Sequence, residues 1–285
     1  MRDFDYCAPT TIEEAIAALV EYDGQAKVLA GGTDLLVQMK HGQKSPRCLV
    51  NIKRIPGLRD ISYDPEDGLR LGALVTLNEV IRSPLLQQHY PVLPQTAATM
   101  AGVQIRNLGT VGGNLCNAAP SADMAPSLIG LGAQVKLVGP GGEQIVPLED
   151  FFTGPGTTVL QRGEIMTEIR VPAPPPGTAA VYLKHTPRRA MDIAVVGVAV
   201  VGRIVNPKIT LGAVAPTPMR ARRAEAVLRE EVITEELLEE AARIASEECK
   251  PIDDVRSSAW YRREMVRVLT RRAVWQLVRA PEGGR

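Results

Sequence analysis

The chain has 285 residues, 45% of them hydrophobic and 23% charged, with a formal net charge of +1. That length supports two or three compact units with real cores. The near-neutral charge gives no support for nucleic acid as a partner. No apolar run is long enough to span a bilayer. The segment Met1 to Tyr6 is charged and poor in apolar residues, so it does not read as a secretory signal, and the expected compartment is the cytoplasm.

In chain order, Thr10-Thr11 followed by Glu13 and Glu14 marks a helix start, with a hydroxyl cap and carboxylates at the positive end. Ala15, Ile16, Leu19 and Val20 share one helical face, and Gly24 ends the helix. Ala26 to Ala30 is a short apolar strand, Leu35 to Lys40 a helix, and Cys48 to Ile52 a second strand. Pro56-Gly57 marks a boundary, so 1–56 is expected as one subdomain. A strand at Leu69 to Ala73 and helices at Leu77 to Arg82 and Pro91 to Ala101 follow. The tract Gly109 to Pro126 is rich in Gly, Asn, Ala and Pro and is expected to be irregular. Ala133 to Pro147 reads as a β-hairpin around GPGG. Val171 to Gly177 (VPAPPPG) is the clearest linker, closing a second subdomain over 57–171.

Beyond the linker, 178–285 reads as an α+β unit. Three strands are expected at Ala180 to His185, Ile193 to Val201 and Pro207 to Val214. Three helices follow at Arg222 to Arg229, Glu235 to Cys249 and Ser257 to Val278, with Thr234 and Ser257 as N-caps.

Two glycine motifs carry the chemistry. Ala30-Gly31-Gly32-Thr33-Asp34 lies between a strand and a helix, where bare backbone amides and the helix's positive end suit a pyrophosphate. It matches neither a Walker loop nor G-x-G-x-x-G, and read alone it also fits a structural turn. Thr110-Val111-Gly112-Gly113-Asn114 repeats the theme about 80 residues later, followed by Asn117, Ser121 and Asp123 among small residues. Together the motifs suit two parts of one dinucleotide. The four cysteines (Cys7, Cys48, Cys116, Cys249) and three histidines (His41, His89, His185) are scattered, so no metal site is expected in this chain, and Cys116 reads as a small buried residue.

The segments AKVLAGGTDLL, IRNLGTVGGNLCNAAPSAD, PLEDFFTGPGTTVLQRGEIMTEIRVP and YLKHTPRRAMDIAVVGVAV resemble the medium subunits of the xanthine dehydrogenase and aerobic carbon monoxide dehydrogenase family, over Phe4 to about Ala273. The resemblance implies a two-subdomain FAD-binding fold of the vanillyl-alcohol oxidase (PCMH) type with a C-terminal α+β domain. It implies FAD at Leu29 and Ala30 to Asp34, at Thr110 to Asn114, and at Asp123 near the ribityl or phosphate region. Met166 is expected beside the flavin ring, and Lys184 at its isoalloxazine end, where a cation favours the anionic reduced flavin. For these last three residues a helix cap, plain core and a solvated strand lysine are the respective alternatives. Arg188-Arg189 with Asp192 reads as a local salt-bridged or subunit-facing turn.

No side chain of this chain is expected to be catalytic. Molybdenum cofactor and [2Fe-2S] clusters belong to a large and a small partner subunit, in a dimer of heterotrimers. Only 23 residues separate Asp123 from Pro147 and none is Cys, which argues against the benzoyl-CoA-reductase type of medium subunit with its cluster-bearing insert. Gly-Gly-Thr-Asp departs from the Gly-Gly-His/Gln-Ser usual in carbon monoxide dehydrogenases, so the resemblance does not select that enzyme. Neither motif contains the His or Cys to which some relatives attach flavin, which implies non-covalent FAD. A stand-alone flavin oxidoreductase and a non-catalytic FAD scaffold remain as alternatives.

Overall fold

The computed structural model describes residues 2–188, 190–203, 206–229 and 232–279. Its first layer is a three-stranded parallel sheet in which Cys48–Asn51 lies between Asp5–Cys7 and Ala26–Leu29. Helix Ile12–Glu21 packs on it through Ala15 and Leu19. Its start is closed from both sides: Thr11 Oγ1 accepts from the Glu14 amide, and the Glu14 carboxylate accepts from the Thr10 amide at 2.8 Å. A second helix, Leu35–Lys40, is only six residues long.

The middle of the chain forms a five-stranded antiparallel sheet in the order Ile61–Asp64, Gly68–Gly72, Ile165–Val171, Gln134–Gly139, Gly142–Pro147. The central strand, Ile165–Val171, comes last in sequence. Flanked on both sides, it buries Ile165, Met166, Ile169 and Val171. Short helices cover the sheet, with Leu69, Leu71, Leu128, Leu137 and Phe151 fully buried between the layers. Each such side chain is worth roughly 1.5–3 kcal/mol relative to exposure.

The tract expected to be irregular contains two helices, Val111–Asn117 and Met124–Gly130. The glycines that lower helix propensity there let backbone pack closely: a Cβ on Gly112 would lie 2.6 Å from the Ala73 carbonyl oxygen. Packing overrides propensity at this site.

After the linker, Ala179–His185, Val196–Gly202 and Lys208–Gly212 pair antiparallel, and a two-residue strand, Met219–Arg220, extends the expected three. Helices Arg222–Val227, Glu235–Glu248 and Ala259–Arg279 complete the unit. Val196, Val198 and Val200 face its own helices, whereas Ala199 and Val201 join the core of the preceding region. The strand is therefore apolar on both faces, which explains the unbroken run VVGVAVV. Buried Arg262 ties the last helix to this sheet, donating to the Val195 carbonyl at 2.7 Å, the Ala213 carbonyl at 3.0 Å and Asp254 Oδ1 at 2.8 Å. Thr234 caps its helix as expected, but the final helix is capped by Ser258, not Ser257; Ser257 is drawn into a bridge with Asp254.

Candidate functional site

Both glycine motifs line one cleft of about 1010 Å³, together with the loop before Ile165 and the segment Met191–Ile193. That volume is at the upper end of the roughly 300–1,000 Å³ typical of ligand pockets. The motifs touch. A Cβ on Gly31 would clash with the Leu108 carbonyl, lying 2.8 Å from its carbon, and one on Gly113 would sit 3.9 Å from the Ala30 methyl. Gly31 is glycine because the backbone leading into the second motif passes against it. Gly32 is glycine because the turn requires φ of +74°.

The two motifs differ in where their amides go. Among the described residues, the N–H groups of Gly31, Gly32, Thr33 and Asp34 have no intrachain acceptor. In the second motif the amides are spoken for: Val111 donates to Val75 O, Gly112 to Ala73 O, Gly113 to Thr110 Oγ1 at 3.0 Å and Asn114 to Thr110 O. The second motif is thus the capped first turn of helix Val111–Asn117 rather than a loop. The first motif offers bare donors, as a diphosphate needs. The six-residue helix after it is too short to add much dipole, so the turn amides carry that role.

Ala30, Gly31, Gly32, Thr33, Asp34, Thr110, Gly112, Gly113, Asn114, Asp123 and Met166 all line the cleft. Leu29, Val111 and Lys184 do not. Leu29 and Val111 are buried behind the motifs and hold them in place. Asn114 Oδ1 is buried without a partner, an acceptor that a ligand would satisfy. Met166 is buried and also lines the cleft, with Cys116 Sγ 4.0 Å from its sulfur. Burial pushes the Cys116 thiol up to about 12, so it stays protonated at neutral pH.

Asp123 is the charged group of this end. It does not cap the helix that follows. Its Oδ1 accepts from the Tyr182 hydroxyl at 2.7 Å and its Oδ2 pairs with Lys184 Nζ at 3.0 Å; Lys184 also donates to the Thr99 carbonyl at 3.2 Å. The side chains of Lys184 and Asp123 are only 6% and 8% exposed, so Lys184 is not a solvated strand lysine. Burial raises Asp123 above the ordinary carboxylate range, against the pull of Lys184 and Tyr182. The strand beyond the linker thereby reaches the cleft through Asp123, with Lys184 behind it.

Arg188 and Asp192 form the expected local pair at 3.2 Å, and Asp192 is held down to about 2, chiefly by that guanidinium; Arg189 lies outside the described residues. Sequence reasoning missed Lys27, Gln38 and Lys44, which also line the cleft. They carry no motif, and only the fold brings Lys27 and Lys44 to the cleft that Asp34 lines. Among the described residues no three His, Cys, Asp or Glu side chains cluster as a metal site, and no helix is long and apolar enough to cross a membrane.

Free amides, an orphaned acceptor and small residues along one wall fit a flavin dinucleotide, and the comparisons with known proteins agree. The family described as the FAD binding domain in molybdopterin dehydrogenase matches residues 2–174, and the CO dehydrogenase flavoprotein C-terminal domain matches residues 181–277. The carbon monoxide dehydrogenase medium chain of Hydrogenophaga pseudoflava is 37% identical over 276 residues, covering 95% of this chain and 96% of that one. The putative xanthine dehydrogenase FAD-binding subunit of Escherichia coli is 34% identical over 290 residues, covering 99% of both. Among solved structures, the Hydrogenophaga pseudoflava carbon monoxide dehydrogenase superposes with a TM-score of 0.93 at 37% identity, over 97% of this chain and 98% of that one. Quinoline 2-oxidoreductase from Pseudomonas putida 86 gives 0.91 at 31% identity, over 97% of both chains. This chain belongs to the family of FAD-binding medium subunits of the xanthine dehydrogenase and carbon monoxide dehydrogenase type, an oxidoreductase subunit of the molybdenum hydroxylases.

Proposed function

We propose that this subunit holds non-covalent FAD in the cleft and relays electrons from the [2Fe-2S] clusters of a small partner subunit to NAD, a quinone or another carrier. The observation that carries the reading is the turn Gly31 to Asp34, whose four unpartnered amides belong to residues that line the same cleft as the second glycine motif. A large molybdopterin-binding subunit hydroxylates the substrate, the whole is a dimer of heterotrimers, and it works in the cytoplasm.

Bound FAD supplies the exchange between one-electron carriers and a one- or two-electron acceptor. This chain's residues bind and orient it. The turn amides and the Thr33 hydroxyl grip the diphosphate. Gly112 and Gly113 let the second motif pack directly against Ala73 and the Thr110 cap, which would hold that wall of the cleft in place. Met166 packs beside the ring. Asp123, an acceptor when ionised, suits the ribityl hydroxyls better than a phosphate, because a phosphate would repel it. Lys184 biases the ring through Asp123, partly cancelling that carboxylate's charge. Cys116 supports non-covalent attachment: it is the Cys lining the cleft, its thiol is protonated at neutral pH, and no His lines the cleft among the described residues.

The test is a visible spectrum of the purified protein, repeated on the supernatant after denaturation. Flavin bands that move wholly into the supernatant are expected, followed by flavin reduction that needs the partner subunits. Flavin left on the denatured chain would overturn non-covalent binding. Reduction by a substrate without partners would favour a stand-alone oxidoreductase, and no reduction in the assembled complex would favour a scaffold.

A further inference from the structure

We propose that Cys7 and Cys48 form an oxidation site: hydrogen peroxide joins them in a disulfide that staples the edge strand of the first sheet to its central strand.

The pair is a product of strand register. In the parallel pairing of Asp5–Cys7 with Cys48–Asn51, Asp5 lies opposite Cys48 and Cys7 opposite Val50. Residues two apart on a strand share a face, so both cysteines point to the same side of the sheet. That side is covered by helix Ile12–Glu21, where Cys48 packs in the core with Ala15 and Leu19, and Cys7 packs against that core. The two sulfurs are 3.9 Å apart. The other polar groups beside them are the Tyr22 hydroxyl and Asp5, which bond to each other at 3.0 Å. The remaining thiols are placed differently: Cys249 Sγ donates to the Ser246 carbonyl at 3.1 Å, and Cys116 lies against the Met166 sulfur.

The two thiols differ in access. Cys48 is 1% exposed, and burial, followed by the Cys7 sulfur, pushes its thiol up to about 11. Cys7 is half-buried on the edge strand, so the oxidant meets it first. Its thiolate attacks one peroxide oxygen, the O–O bond breaks, and the departing hydroxide takes up the proton that Cys7 lost. The Cys48 sulfur then attacks the Cys7 sulfenic acid. The S–S bond forms, the S–O bond breaks, and the hydroxyl leaves with the Cys48 proton as water. The two thiols give up two electrons and two protons, and one peroxide becomes two waters.

The sulfurs must close to about 2.05 Å for this bond. The strand that has to give is three residues long and paired along one edge only, so side-chain rotation and a small strand shift supply the movement. The bond would close a loop over 41 positions that contains helix Ile12–Glu21, strand Ala26–Leu29 and the turn Gly31 to Asp34. Cross-linking the ends of so long a loop restricts the unfolded chain and stabilises the fold. A reducing compartment returns the pair to thiols.

The purified full chain is treated with hydrogen peroxide and alkylated in denaturant without reductant. Two of the four thiols should escape alkylation and return with dithiothreitol. Trypsin should release peptide 3–27 joined to peptide 48–53, about 2 Da lighter than their sum for the two hydrogens lost. The oxidised chain should melt about 5 °C above the reduced one. Cys7→Ser should abolish the cross-link and that difference. In Cys48→Ala, which keeps the attacked thiol, Cys7 should pass on to sulfinic acid. A bond to Cys116 or Cys249, a wild-type chain with Cys7 sulfinic acid and no cross-link, or a cross-link that forms only in urea overturns the pairing. An oxidised chain that melts no higher than the reduced one overturns the staple.

Discussion

The two glycine motifs look alike in sequence, touch one another and line one cleft, yet they use their backbone groups differently. The first leaves four successive amides unpaired. The second gives two amides to the Val75 and Ala73 carbonyls and two to Thr110, the cap of its helix, and presents a side-chain acceptor, Asn114 Oδ1, instead. Adjacent glycines by themselves do not mark an anion site. What matters is whether the surrounding chain has already taken the N–H groups. A second asymmetry follows: among the described residues Lys27 and Lys44 in the cleft have no ion pair, whereas Asp123 is paired with Lys184 in the strand beyond the linker.

The strongest way to break this contrast is Gly31→Ala. Its methyl would force the Leu108 backbone away and part the two motifs, so flavin affinity should fall by more than about 100-fold, measured by fluorescence titration. Retained affinity would mean the motifs need not touch. The next largest effect is expected from Lys184→Met, which leaves Asp123 buried without its cation and should cost about 3 kcal/mol in denaturant unfolding. Asp123→Asn added to it should recover part of that loss. The sign of the pH effect is fixed: an acid whose folded pKa is raised binds its proton more tightly when folded. Stability of Lys184→Met should therefore fall as pH rises from the unfolded carboxylate value towards the raised folded one. A flat profile would remove Asp123 from the account.

Thr110→Val separates the motifs more finely. It deletes the acceptor for the Gly113 amide and should cost about 1 kcal/mol of stability. Flavin affinity should change little, because the Gly113 amide serves the helix cap and not the ligand. A flavin loss as large as that of Gly31→Ala would make the motifs equivalent. The smallest expected effect concerns His185, whose ring lies against Tyr261 with centroids 5.6 Å apart. Burial lowers its pKa, so the folded protein resists protonation. Stability is complete above the unfolded imidazole value and declines as pH falls through it towards the lowered one. The melting temperature should drop by about 1 °C or less on acidification through that window, and His185→Phe should abolish this dependence.

Much of this molecule was legible in the sequence, because it depends on neighbours along the chain. Thr11 and Thr234 cap helices where a hydroxyl precedes an apolar period, the GPGG hairpin pairs as expected, and the glycine motifs with the long downstream segments identify the family. Both motifs line one cleft, as a shared dinucleotide site requires. What local pattern could not supply was anything set by contacts distant in sequence. Helix Val111–Asn117 forms despite two glycines because Ala73 lies against it. Strand Ile165–Val171 becomes the centre of a sheet whose other strands precede it. Lys184 is buried because Asp123, 61 residues earlier, waits across the boundary, and Gln38 and Lys44 reach the cleft through a chain reversal that no motif marks. The sequence by itself determined which residues can cap, turn, span and donate, since those are properties of a side chain and its near neighbours. Only the tertiary structure decided which donors stay free and which charges are cancelled, because hydrogen bonds and ion pairs are satisfied by whatever the fold brings within reach.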